Sequence, residues 1–493
     1  MSDARQPRSD HQDRPTDGAG AGLPADNHTA GFSRYSRRSL LRAGVVGGSA
    51  AAVLAASGVV GSGLAVATSP ATAPPAPALM QNLFTESDLD FETLFAFGSA
   101  GYGCAEFGEL VTVVNQVNGV GASYQTYYDA FLALAQRIEA LAGHELAAGH
   151  TVNARSAYLR ASTYYDMCLY FILGTTARAQ EADSYAAVQR CWDGASQLFG
   201  TPFERVRIPY GSGWLPGYLL KPDNRPVRRP TIILNNGQDA QNISLYAMGG
   251  ADAIARGYNA LIFEGPGQGS LLFERQVPFR SDWENVITPV VDYLRSRWDV
   301  DPRRIVLNGS SLGGGLVLRA AAFEHRLAAV VADPAIYSLW GCWQAGEQSI
   351  TSLFTNGASK DQVNAEWQQI VPHLDHVTRY NLAKRTEPYG TQFLQAARAG
   401  QVLTDLYDLG ATLMEFTVAE VVDKITSPTL VTIYDNDELV KPPGQQGELA
   451  YQQLRCAKQT HTFTAAEGAD QHCAPMAPHT RNQVVYDWLD GVL

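Results

Sequence analysis

Lysine is scarce in this chain: only 6 of its 37 basic residues are lysine and the rest are arginine. Positive charge is also short overall. Against 49 acidic residues the net charge is −12, and a phosphate-backbone partner needs a basic footprint, so nucleic acid is excluded as a partner. Cysteine is sparse too. The six (Cys104, Cys168, Cys191, Cys342, Cys456 and Cys473) show no metal-ligand spacing, and no His-Glu-x-x-His run occurs, so no metal is expected. Six cysteines admit too many pairings for one disulfide pattern to be chosen. No repeat recurs at a fixed period. Gly265, Gly267 and Gly269 do not form Gly-x-Gly-x-x-Gly, so a nucleotide site is not supported and no cofactor is expected. What is present is apolar. With 45% hydrophobic and 17% charged residues over 493 positions, the chain can bury a sizeable core and divide into packed units plus a tail.

Charge is also missing from one local stretch, Ala43 to Ala67. It follows Ser36-Arg37-Arg38-Ser39-Leu40-Leu41, and residues 1–34 before it are polar and without apolar periodicity. A paired arginine, a weakly apolar Gly- and Ala-rich segment and Ala65-Val66-Ala67 together look like a twin-arginine export signal with a small-x-small cleavage site. Residues 1–67 are therefore read as tail plus signal peptide, and residues 68–83 as a Pro- and Ala-rich linker. The expected location is outside the cytoplasm, extracellular or periplasmic and cell-wall associated, with the twin-arginine machinery as a partner during export. The competing reading is an uncleaved membrane anchor.

Residues 84–200 lack strand signals. In Ser123–Ala142 the residues Tyr127, Tyr128, Phe131, Leu134, Ala135, Ile138 and Leu141 recur at spacings of three and four, which predicts an amphipathic helix. Asn153–Leu173 and Ser184–Phe199 read as two more. This is a helical domain whose many tyrosines are core and interface, with a share of them available to line a pocket.

From residue 201 the pattern changes. Glu204–Pro209 and Leu215–Lys221 predict a hairpin around Tyr210-Gly211-Ser212-Gly213. Pro230–Asn235, Asn259–Glu264, Ile305–Asn308, Leu327–Ala332, Pro428–Tyr434 and Thr460–Thr464 predict strands. Helices are expected at Ser244–Arg256, Ser281–Arg297, Leu316–Phe323 and Thr480–Leu489. Alternating strands and helices argue for an α/β fold with a mostly parallel sheet and helices on both faces. At its centre, Gly309-Ser310-Ser311-Leu312-Gly313 fits Gly-x-Ser-x-Gly between strand and helix, the context of a nucleophile elbow. Residues 337–425 form a mostly helical, aromatic-rich insertion.

The order hairpin, strand, Asn236-Gly237-Gln238, strand, Glu264-Gly265-Pro266-Gly267-Gln268-Gly269, helix, elbow is similar to the α/β-hydrolase fold. More narrowly it resembles the 2,6-dihydroxypseudooxynicotine hydrolase-like branch, whose members carry an N-terminal helical domain; Arg155–Leu173 resembles that domain too. The resemblance covers roughly 85–493. It implies that the insertion at about 337–425 caps the pocket, and it matches Asp437 and Val440 to Gly-x-x-Asp-x-x-Val, with Tyr434 standing where glycine is usual.

A serine hydroxyl needs a base within reach, and that base needs an acceptor to hold its tautomer. Ser311, Asp437 and His472 follow in the chain order this fold requires, and His472 sits on the loop after the last strand. Asp435 and Asp333 are the rival acids. The oxyanion is assigned to the backbone N–H groups of Leu312 and Gln238. Asp239 is read as a helix cap, and Glu264 as loop-fixing or functional. The expected protein is an exported serine hydrolase cleaving an ester, or a C–C bond next to a carbonyl, in a small bulky or aromatic substrate. A prolyl-oligopeptidase-like peptidase and a non-catalytic binding protein are the alternatives, and a homodimer is left open.

Overall fold

The computed structural model describes residues 82–493. The twin-arginine motif, the cleavage site and nearly all of the linker lie outside the described residues. Five helices come first: α1 (Asp90–Ser99), α2 (Phe107–Val120), α3 (Tyr124–Ala147), α4 (Thr151–Phe171) and α5 (Glu181–Ser196). Ser123 starts α3 with a capping box, in which its hydroxyl accepts the Thr126 N–H while the Thr126 hydroxyl takes the Ser123 N–H, so two otherwise orphaned donors are satisfied. The predicted stripe is the buried one, with Tyr127, Phe131, Leu134, Ala135 and Ile138 inside, whereas Leu141 is exposed.

Eight strands follow: β1 (Phe203–Tyr210), β2 (Gly213–Leu220), β3 (Arg229–Asn235), β4 (Asn259–Phe263), β5 (Val300–Ser310), β6 (Ala329–Asp333), β7 (Thr429–Tyr434) and β8 (Lys458–Phe463). They form one sheet in the order β1-β2-β4-β3-β5-β6-β7-β8. The hairpin is antiparallel, as is β2 against β4; the other pairs are parallel. Successive side chains on a strand face opposite ways, and β3 shows the result. Ile232 and Leu234 join the core that contains the five N-terminal helices, while Ile233 joins the core that contains the insertion. The helical region thus shares a continuous apolar core with one face of the sheet. The insertion packs with the other face through Trp343, Trp367, Phe393 and Leu409, and joins the core of the N-terminal helices through Tyr380, Leu394 and Ala397.

One predicted helix is broken. Ser244–Arg256 was expected to run through, but a short helix at Asn242–Leu245 opens into a wide turn at Tyr246–Gly250 before Ala251–Ala255. The cause is competition for carbonyls. Arg481 donates to the Met248 carbonyl and Tyr486 to that of Gly249, so the helix ladder is interrupted where side chains from the C-terminal helix, Pro478–Val492, take its acceptors.

Candidate active site

Strand β5 delivers Ser311 at its C-terminal end, and the helix Leu312–Ala321 starts directly after it. Ser311 adopts φ 59°, ψ −131°, a strained conformation for a side-chain-bearing residue. Its N–H donates to the Asp333 carbonyl at 2.8 Å, and its own carbonyl accepts from Gly314 at 2.8 Å. The turn closes only because Gly309 has no side chain: a Cβ there would stand 2.2 Å from the Gly313 carbonyl oxygen. The glycines of the motif are therefore a steric demand of strand meeting helix.

His472 brings Nε2 to 2.9 Å from Ser311 Oγ. Its Nδ1 lies 2.8 Å from Asp437 Oδ2 and 3.0 Å from Oδ1. Asp437 is fixed in turn by the N–H groups of Leu439 at 2.9 Å and Val440 at 2.8 Å. Burial works against a charged ring at His472, but the Asp437 carboxylate outweighs it and holds the imidazole pKa well above its ordinary value. Burial likewise presses the Asp437 pKa upward, and His472 together with the two N–H groups brings it below the usual range. The rivals are elsewhere. Asp435 is exposed. Asp333 is wholly buried in an ion pair with Arg481.

The loop after β3 lies against the elbow. A Cβ on Gly237 would come within 2.7 Å of Ser311 Cβ and 2.9 Å of the Leu312 nitrogen. The Gln238 side chain is drawn away, donating to the Lys384 carbonyl at 3.0 Å and accepting from the Tyr389 hydroxyl at 3.0 Å. The loop is braced by a residue the sequence reading did not single out. Gln268 Nε2 donates to the carbonyls of Asn236 at 2.8 Å and Gly237 at 3.1 Å, and its Oε1 accepts the Gly265 N–H at 2.9 Å. The signal was available as the glutamine inside Gly-Pro-Gly-Gln-Gly. Glu264 proves to fix structure. It accepts from Tyr185 of α5 at 2.6 Å, Asn242 at 2.9 Å and the Ser270 hydroxyl at 2.6 Å.

Residues 242–487 match the model of the alpha/beta hydrolase family. A protein of Penicillium oxalicum, "Hydrolyase poxO", is 32% identical over 349 residues, 62% of this chain and 80% of that relative. The chain belongs to the alpha/beta hydrolase family. "Hydrolase ORFZ" of Pyricularia oryzae is 36% identical over 275 residues, 53% of this chain, and this chain spans 64% of that relative's length. "Hydrolase acrC" of Aspergillus aculeatus is likewise 36% identical, with 62% of its length spanned. The crystal structure of the 2,6-dihydroxy-pseudo-oxynicotine hydrolase aligns with TM-score 0.58 and 20% identity over 80% of this chain and 95% of that one. At that identity it attests the fold.

Ser311 and His472 open on a cleft enclosing about 590 Å³ of empty space, mouth included. Its far wall comes from the N-terminal helices: Phe91, Glu92 and Phe95 of α1, and Asp166, Met167 and Tyr170 of α4. From the insertion, Lys384 reaches two of the lining residues, its ammonium 3.8 Å from Asp239 Oδ1 and 5.2 Å over the Tyr170 ring. Of the helical tyrosines, Tyr170 lines the cleft and Tyr127 and Tyr164 are core. Asp239 departs from the expected role. The next helix begins after Gln241 and has no side-chain cap, whereas Asp239 lines the cleft with Oδ1 buried, without a hydrogen bond and 3.8 Å from the Lys384 ammonium. Burial pushes Glu92 up to about 8, with nearby Asp239 adding to it, and pushes Asp166 up to about 7.

Proposed function

We propose that this protein is an exported serine hydrolase that cleaves an ester, or a C–C bond adjacent to a carbonyl, through Ser311, His472 and Asp437. The single observation that carries this reading is the continuous chain Ser311 Oγ, His472 Nε2, His472 Nδ1, Asp437 Oδ2, with links of 2.9 and 2.8 Å. In the competent tautomer Nδ1–H donates to Asp437 and Nε2 accepts the serine proton. Ser311 Oγ attacks the carbonyl carbon as His472 takes its proton. The oxygen that becomes negative is held by the N–H groups of Leu312 and Gln238, preorganised donors in a water-poor site. His472 then gives its proton to the departing alkoxide or carbanion, leaving an acyl-Ser311 ester. Water, deprotonated by the same imidazole, releases the acid and restores the hydroxyl.

The aromatic and methionine lining supports a small substrate with a bulky apolar part. Export rests on Arg37-Arg38 and the uncharged segment after them. Labelling by a fluorophosphonate probe tests the chemistry. The native chain is expected to label and Ser311→Ala not to, and equal labelling of both overturns the assignment. N-terminal sequencing of the secreted protein tests processing: a start near residue 68 is expected, and a retained Arg37-Arg38 pair contradicts it.

A further inference from the structure

The insertion meets the catalytic machinery at the oxyanion loop. Gln238 supplies the second oxyanion N–H in the reading above, and residues 384–389 of the insertion take both ends of its side-chain amide. Gln238 Nε2 donates to the Lys384 carbonyl at 3.0 Å, and the Tyr389 hydroxyl donates to Gln238 Oε1 at 3.0 Å. An amide held at its donor and its acceptor together can neither flip nor swing without losing a bond.

Tyr389 is 4% exposed, and its ring packs against Phe279 and Phe416 at centroid distances of 5.7 and 5.4 Å. Among the described residues its hydroxyl bonds to Gln238 alone. Tyr389 does not line the cleft, so its route to the reaction runs through Gln238.

The clamp is itself fixed. Lys384 is 3% exposed, with its ammonium 2.9 Å from Glu387. The Pro388 carbonyl accepts the Phe279 N–H at 2.8 Å. Phe279 lies on Gly267, where a Cβ would stand 2.3 Å from the ring. The next residue is Gln268, whose amide grips the carbonyls of Asn236 and Gly237. Residues 236–238 are therefore held on two sides, the main chain by Gln268 and the side chain by Lys384 and Tyr389, and Phe279 joins the two holds. A donor that must meet a charge present only in the transition state depends on such support from behind.

We propose that Tyr389 is a positioning residue for the reaction at Ser311. Its hydroxyl, with the Lys384 carbonyl, clamps the Gln238 side chain and so keeps the Gln238 N–H aimed at the developing oxyanion. This rests on the reading of Ser311 as the nucleophile and adds a part for the insertion to play in it.

The rate of inactivation by a fluorophosphonate tests the proposal, because the phosphoryl oxygen must enter the same site. Tyr389→Phe keeps the ring and removes only the hydroxyl. Its rate at saturating reagent is expected to fall about tenfold, less than the roughly 10²–10³ of a lost donor, since the N–H is displaced and not deleted. The half-saturating concentration and the acidic limb of the pH profile should stay in place. Gln238→Met keeps the length and the main chain but lacks the amide. It should slow inactivation by a similar factor, and adding Tyr389→Phe should slow it no further. A native rate in either single variant, or losses that multiply in the double variant, overturns the proposal. A displaced acidic limb also overturns it, by putting the effect on the triad. The two single variants are read independently, so one that fails to fold leaves the other to decide. Equal labelling of the native chain and Ser311→Ala would instead overturn the nucleophile, so the two readings fail separately.

Discussion

The Tyr434 hydroxyl donates to Oδ1 of Asp333, where the family pattern has a glycine and no side chain at all. Arg481 holds the other oxygen of that carboxylate and also reaches Ser310 Oγ at 3.1 Å. All three residues are buried, at 1%, 0% and 1% exposure for Tyr434, Asp333 and Arg481. The departure from pattern is thus a hydrogen-bond donor to a buried ion pair directly beneath the elbow. Removing the charge of Asp333 leaves a guanidinium buried without its counter-ion, which costs about 3–5 kcal/mol. Removing only the tyrosine hydroxyl costs about 1 kcal/mol. Urea unfolding of Asp333→Asn and Tyr434→Phe should show that order at equal m-values. Equal losses would mean the ion pair is not the stabilising element.

Asp437→Asn should separate the two tasks of the acid. The neutral amide neither stabilises the imidazolium nor holds the tautomer, and kcat is expected to fall about 10⁴-fold. The pH profile carries the sign. His472 must be neutral to accept the serine proton, so activity is lost as pH falls through its pKa. Burial lowers that pKa and Asp437 raises it well above the ordinary histidine value. Without the carboxylate the largest raising influence is gone while burial still lowers the pKa, and the acidic limb of kcat/KM should move to lower pH. An unmoved limb would mean that Asp437 does not act on His472.

All six cysteines are free thiols, five of them buried and Cys456 partly exposed. Burial pushes Cys104 and Cys342 up to about 12, so neither thiolate nor reagent access is available there. Titration with a chromogenic disulfide should therefore find at most one reactive thiol in the folded protein and six after unfolding in denaturant. Fewer than six in the unfolded chain would reveal a disulfide.

The inner strands were legible because they are short apolar runs between turn residues, so that Pro230–Asn235 falls within one residue of β3, whereas β8 is mostly polar, Lys-Gln-Thr-His-Thr-Phe, and Thr460–Thr464 still falls within two residues of it. That Ser311, Asp437 and His472 meet was legible because local turn chemistry marks the first and chain order constrains the others. The cleft wall was not. A glutamate on α1 or an aspartate on α4 reads as the solvated side of a helix, and only packing of those helices over the sheet turns Glu92 and Asp166 inward. Asp239 was misplaced for the same reason: an acid shortly before a helix looks like a cap until the helix is seen to begin after Gln241. The break at Tyr246–Gly250 depends on Arg481 and Tyr486, side chains more than two hundred positions away, which no local periodicity encodes.

Gly237 offers the sharpest test of the oxyanion assignment, because a backbone donor cannot be removed by ordinary substitution. The loop it occupies is braced from outside by Gln268, so it cannot retreat freely. An added Cβ would meet the Ser310 carbonyl oxygen at 2.7 Å, Ser311 Cβ at 2.7 Å and the Leu312 nitrogen at 2.9 Å. Relief requires the loop to move off the elbow, carrying the Gln238 N–H with it. Gly237→Ala should therefore lower kcat by about 10²–10³, the loss typical of one oxyanion donor. Because the triad does not depend on that donor, the His472 pKa seen in the pH profile should stay in place. Quench-flow with an activated ester would show slower acylation at an unchanged acidic limb. A variant with native acylation would place the second donor elsewhere than the Gly237-Gln238 loop.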